Sequence, residues 1–174
     1  MDWNDVFSRI VSLRTFSNLW YWLMVCVSWM IASHWILGIP FDVIQRARRK
    51  GDQAAADLES LTDINVRRLQ ALSNEGGFII VGFIAFLLTS IAMAGFYYRM
   101  EVAQGLFFLL FPLTIAGGLS FHASTRLLQD PPRGTELAKR LMRIRLWIQF
   151  IAMISVFFSA AYGMFYNLSN PFGY

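Results

Sequence analysis

"GGFIIVGFIAFLLTSIAMAGFYY", residues 76–98, contains no Asp, Glu, Lys, Arg or His. The run exceeds the ~20 residues that a helix needs to cross the ~30 Å hydrocarbon core of a bilayer. Its apolar residues do not alternate with polar ones as a barrel strand's would. Lipid offers no partner to an open backbone, so a helix is the form that satisfies these amides. Three further stretches carry no Asp, Glu, Lys or Arg: Thr15 to Phe41, Val102 to Thr125, and Leu146 to the C-terminus. Of the 174 residues, 56% are hydrophobic and only 15% charged. A soluble domain of this length would spread polar residues over its outside. Here they cluster between the apolar runs. The reading is an all-α integral membrane four-helix bundle with short amphipathic interfacial helices. It forms a single membrane domain over 1–174, with spans at about 17–38, 77–98, 103–124 and 147–167.

The charges orient the spans. Arg46, Arg48, Arg49, Lys50, Arg67 and Arg68 lie between the first two, and Arg126, Arg133, Lys139, Arg140, Arg143 and Arg145 between the last two. Only Arg9, Arg14 and Arg99 lie elsewhere. Positive residues stay on the cytoplasmic side, so segments 39–76 and 125–146 are expected there and both termini outside, which in a bacterium is the periplasm. Trp20, Tyr21 and Trp22, Tyr97 and Tyr98, and Tyr162 and Tyr166 fall at the outer ends of spans, and Trp35 and Trp147 at inner ends. Amphipathic rings favour that level. The start, "MDWNDVFSRI", carries acids where a signal peptide has a basic region, and no cleavage pattern follows. The sequence pI near 9.6 comes from cations that flank spans, so nucleic acid is not the expected partner.

The extramembrane pieces are patterned as helices. Trp3, Val6, Phe7, Ile10 and Leu13 share one face of residues 3–13, and Asp2 can cap that helix. It is expected either on the outer membrane face or packed on the protein's own helices or a partner. Pro40 and Gly51 bracket a second helix. Its Phe41, Val43, Ile44 and Ala47 are expected to dip into lipid while Arg46, Arg48, Arg49 and Lys50 meet anionic headgroups. Lys139, Arg140, Arg143 and Arg145 are expected to do the same from the other basic segment. Residues 53–73 carry Leu58, Leu61, Leu69 and Leu72 on one side, and Leu137, Leu141 and Ile144 follow the Asp130-Pro131-Pro132 break and the Thr135 cap. These two stripes either cover each other or dock another protein.

Helices in lipid associate through small residues. Gly117 and Gly118 on the third span, and Ser159 and Gly163 on the fourth, are the expected packing positions. Pro112 removes a backbone bond to residue 108 and is expected to kink its helix.

The two histidines, His34 and His122, fall near the cytoplasmic ends of the first and third spans. Three readings stay open: axial ligands of one haem between two helices, a quinone or proton site, or polar residues at the headgroup level. The last is favoured, because an imidazole at that depth can reach backbone carbonyls, hydroxyls or headgroup water, and no acid lies in any span to complete a proton relay. No cofactor or metal is expected. Glu101 lies in the outer turn beside Arg99, where the two can pair. No phosphate-cradling glycine loop, metal-protease helix or nucleophile with a base is present, so the chain is not read as an enzyme.

The stretches "RTFSNLWYWL" (14–23), "SHWILGIPFDV" (33–43), "RRLQAL" (67–72) and "YGMFYNLS" (162–169) resemble a family of small polytopic inner-membrane proteins of alphaproteobacteria. The resemblance covers nearly the whole chain and implies compartment and topology, but no site residues. Members often carry a label tying them to iron–sulfur assembly. A cluster scaffold needs several thiolates, and Cys26 is alone. The expected function is that of a non-catalytic accessory, assembly or structural subunit of a larger inner-membrane complex, respiratory or photosynthetic, with lipids and other integral membrane subunits as partners. The alternatives are a homo-oligomeric channel or small-solute carrier, and a haem- or quinone-binding redox protein.

Overall fold

Gly76 and Gly77 could have ended a helix, since each glycine costs ~1 kcal/mol against alanine in a helix interior. They do not. In the computed structural model, which describes residues 15–50 and 52–169, the amphipathic segment and the apolar run form one unbroken helix, Asp52–Ala92 (α3). Its 41 residues span ~62 Å at 1.5 Å per residue. Gly134 likewise begins a single helix, Gly134–Ser169 (α5), which fuses much of the second basic segment with the last apolar run. Between them runs Glu101–Gln129 (α4). Among the described residues the chain is helical apart from one two-residue-per-strand hairpin and short connections. The N-terminal amphipathic segment 3–13, Gly51 and residues 170–174 lie outside the described residues, as do the side chains of Ser17, Trp35, Ile36, Lys50 and Asp52.

Three helical stretches, Gln53–Tyr97, Glu101–Gln129 and Gly134–Ser169, are long and apolar enough to cross a membrane. The expected span at 17–38 is shorter than the sequence suggests. Its helix is Leu19–His34 (α1), 16 residues or ~24 Å, less than the ~30 Å of a hydrocarbon core. A 3₁₀ turn, Thr15–Ser17, precedes it. The absence of charge between Thr15 and Phe41 hid the true end. Trp35–Ile36 (β1) pairs antiparallel with Ile39–Pro40 (β2), and the turn between them has positive φ at both Leu37 (56°) and Gly38 (77°). That is the geometry of tight two-residue hairpins, which normally use Asn-Gly. A left-handed leucine costs roughly 1–2 kcal/mol. Leu37 offsets this by burying its side chain, a gain of ~1.5–3 kcal/mol.

Leu37 and Ile39 enter a core at the basic end of the molecule. Ile44 and Ala47 of the short helix Phe41–Lys50 (α2) join it, with Leu58 and Val66 of α3, Leu127 of α4, and Leu137, Ala138 and Leu141 of α5. The stripes on α3 and α5 therefore cover each other, although Leu72 stays exposed. Ile44 and Ala47 are not dipped into lipid as the sequence suggested. They face α3 and α5, because the hairpin turns α2 back onto them. A second core, of Phe16, Tyr21, Val25, Trp29, Leu109, Ala116 and Ile148, joins α1 to α4 and α5.

Pro112 sits inside α4 and leaves the Phe108 carbonyl without its helical donor. Helix α4 is nonetheless continuous. The Ser155 hydroxyl on α5 donates to that carbonyl at 3.1 Å. Ser155→Ala is expected to lower unfolding stability by ~1–2 kcal/mol through the unpaired, partly buried carbonyl. The same substitution on a Pro112→Ala background, where residue 112 supplies its own N–H, should cost less than half as much. Equal losses in the two backgrounds, measured by thermal unfolding in detergent, would rule the pairing out as the cause.

Candidate functional site

Helices α3 and α4 are joined at the end remote from the basic core. The end of α3 widens into a π-helical turn, Met93–Tyr97, and left-handed Arg99 (φ 56°) reverses the chain. Met100 N–H is accepted by the Ala94 carbonyl at 3.2 Å. Gly95 has no room for a side chain, since a Cβ there would lie 2.9 Å from the Gln104 backbone nitrogen. The Gln104 side-chain amide donates to the Gly95 carbonyl at 2.8 Å, which locks the two helices together.

Glu101 does not pair with Arg99 as their adjacency suggested. Its carboxylate is buried, and Oε1 accepts the Phe16 backbone N–H at 2.9 Å. Trp22 Nε1 donates to the Phe16 carbonyl at 3.0 Å, and the Tyr21 hydroxyl to the Gly105 carbonyl at 3.4 Å. This knot holds the start of α1 to the start of α4. The signal in the sequence was an acid directly after an apolar hairpin, but its partner is 85 residues away. Glu101→Ala should cost about 1–3 kcal/mol, the penalty for leaving a buried amide unpaired. Hydrogen exchange at the Phe16 amide is the direct readout, and unchanged protection there would refute the assignment.

At the basic end, the cations named from the sequence separate into different environments. Arg46, Arg48 and Arg49 lie exposed on α2, whose Ile44 and Ala47 are buried. Arg145 is engaged within the protein. Its guanidinium stacks 3.5 Å from the Phe41 ring centroid, and its Nε is buried, so it ties α2 to α5. Arg140 bonds Asp130 across the α4–α5 loop at 2.9 Å. Lys139 and Arg143 are exposed and line a groove of about 540 Å³ between the end of α4 and the start of α5. Arg126, Arg140, Glu136 and Trp147 also line it, over an apolar floor of Leu119, Ala123 and Ile144. A second cleft of about 590 Å³ lies between α3 and the α4–α5 loop. Its Asp63 and Arg67 pair with each other at 3.0 Å, and its Glu59 accepts the Gly134 N–H that starts α5.

The two histidines have different surroundings. His34 is the exposed last residue of α1, whereas His122 lines the basic groove, and His34 does not. Among the described residues, no group of three or more His, Cys, Asp and Glu could hold a metal. The small residues also divide. Ser159 and Gly163 are buried, and a Cβ on Gly163 would meet Phe16 at 2.9 Å. Gly117 and Gly118 are exposed, with nothing of this chain within 4 Å of an added Cβ. Among the described residues they pack against no neighbour. Comparison of the chain with protein-family models, with curated proteins and with solved structures finds no match.

Proposed function

We propose that the chain is a non-catalytic accessory or assembly subunit of a larger complex in a bacterial inner membrane, joined there to other integral membrane subunits. The observation that carries this reading is the bare upper half of α3. The most apolar 18-residue stretch of that helix has 0% of its residues buried within the chain, against 28% in α4 and 22% in α5. Phe78 is 93% exposed. Gly76 and Gly82 on this helix, and Gly117 and Gly118 on α4, open onto unfilled space. Small residues let backbones approach closely in lipid, so these faces suit a helix from another subunit.

The reading includes four crossings. Phe16 is bonded to Glu101 at one end of α4, and Leu37 and Ile39 share a core with Leu127 near the other. The segment between them thus runs the length of α4, with the 3₁₀ turn and hairpin adding reach to a short helix. The basic end is cytoplasmic and both termini are periplasmic, on the distribution of Lys and Arg.

Native-gel migration after mild detergent extraction tests the reading. The wild type should travel with larger polypeptides. Gly82→Leu and Gly117→Leu should release it as a monomer without lowering its thermal midpoint. A symmetric homo-oligomer that conducts ions would replace this proposal with a channel. A single cysteine at Gly134 should label from the cytoplasm only, and labelling from the periplasm would reverse the topology.

A further inference from the structure

The basic groove does not end where its charges end. On the same side of the α4–α5 seam, farther from the basic end, a second groove of about 410 Å³ is lined by Phe111, Pro112 and Ile115 of α4 and by Ile151, Ile154 and Phe158 of α5. Positions 115, 119, 122 and 126 on α4 step by three or four residues, as do 143, 147, 151 and 154 on α5. Residues at that spacing share one helix face. The two grooves are therefore one track, cationic at its mouth and apolar within save for Ser155, whose hydroxyl is spent on the Phe108 carbonyl. Pro112 is ten residues from His122 along α4, a depth of ~15 Å at 1.5 Å per residue. That is about half of a ~30 Å hydrocarbon core, the thickness of one leaflet.

We propose that this seam binds one anionic phospholipid from the surrounding bilayer, resting on the reading that α3, α4 and α5 cross a membrane. Arg126, Lys139 and Arg143 hold the headgroup phosphate, and one acyl chain lies along Ile115, Ile151 and Ile154 toward Pro112. The charges favour an anion. Among the described residues, none of these three cations has an ion pair, whereas Arg140 is held by Asp130. Glu136 is the one carboxylate in the lining. A guanidinium offers two parallel N–H donors to phosphate oxygens, and an ammonium adds a compact point charge. Trp147, half exposed at the boundary between the two grooves, suits the level of the glycerol backbone. The apolar continuation argues for a lipid over a free phosphate. The excess of cations argues against a zwitterionic headgroup, whose own cation would face them.

The test uses the full chain, delipidated in mild detergent and titrated with phosphatidylglycerol, phosphatidylcholine or inorganic phosphate while native mass spectrometry counts retained adducts. One phosphatidylglycerol should bind at least tenfold more tightly than phosphatidylcholine, and millimolar phosphate should not displace it. R126Q/K139Q/R143Q should abolish that preference. R67Q/R68Q/R133Q, which removes three exposed cations from the same end but outside the track, should retain it. Phosphatidylglycerol brominated along its acyl chain should quench the wild type more than Trp147→Phe. Equal losses in the two triple variants would reduce the effect to general surface charge and overturn the site. Displacement by phosphate, with no dependence on an acyl chain, would make it a free-anion site and also overturn it. If the groove triple loses helicity by circular dichroism, single K139Q and R143Q carry the test, each with a several-fold loss of preference expected and no loss overturning it. Alkaline carbonate washing of membranes separates the underlying reading: release of the wild type would remove the membrane assignment, whereas retention without lipid preference removes only the site.

Discussion

Gly163→Leu should leave little folded protein. Gly163 faces Phe16, and even a Cβ would lie 2.9 Å from the Phe16 Cβ and 3.1 Å from its ring. Phe16 cannot retreat easily. Its backbone N–H is bonded to Glu101 and its carbonyl to Trp22, and its ring lies 5.4 Å from Tyr21 and 5.6 Å from Tyr162, edge to face. Overpacking usually costs 1–3 kcal/mol, and here the obstacle is itself fixed at both backbone atoms. A loss of about 3 kcal/mol or more is expected, seen as a lowered thermal midpoint or loss of the monodisperse peak in detergent. Gly163→Ala should show a smaller loss. Gly117→Leu gives the contrast, because its position is open within the chain and its effect on the isolated protein should stay within ~0.5 kcal/mol. Equal effects at 163 and 117 would mean that the contact with Phe16 does not hold α1 in place.

Ile44→Ala is the second large effect. Ile44 has no exposed surface and sits in the core at the basic end, so truncation should cost ~2–5 kcal/mol. A residue dipped into lipid on a surface helix would instead leave the unfolding midpoint almost unchanged. Leu141→Ala, on α5 in the same core, should cost a similar amount. Residues that share a cavity couple, so the double variant should depart from the sum of the singles by at least ~0.5 kcal/mol. Arg46→Gln, on the exposed side of α2, should do almost nothing to stability. Strict additivity of Ile44→Ala and Leu141→Ala, with small single effects, would detach α2 from the core.

The environment of each cation was the least legible part of the candidate site. Arg143 and Arg145 are two residues apart and chemically identical, yet one lines an open groove and the other is stacked on Phe41. A helical step of two residues turns the side chain to nearly the opposite face, and only the position of α2 decides which face is covered. Glu101 was similarly opaque. Its neighbour Arg99 is the obvious partner in the chain, but the left-handed turn at that residue sends the chain back and Phe16 arrives from 85 residues away.

Hydrophobic runs without charge determined, by themselves, that this is an all-α chain with helices able to cross a membrane. Lipid leaves a backbone no alternative, so composition and length suffice for that conclusion. The apolar stripes at Leu58, Leu137 and Leu141 were legible for the same kind of reason, since a period of three or four residues is a local property. The tertiary structure decided where α1 stops, that Leu37 and Gly38 form a hairpin turn, and that Ile44 faces protein. It also decided that Gly163 is a contact while Gly117 is an open surface. An apolar side chain gains nearly the same free energy from lipid as from a protein core, so hydrophobicity cannot tell the two apart. Close packing can, because it depends on which helix lies within a few ångströms.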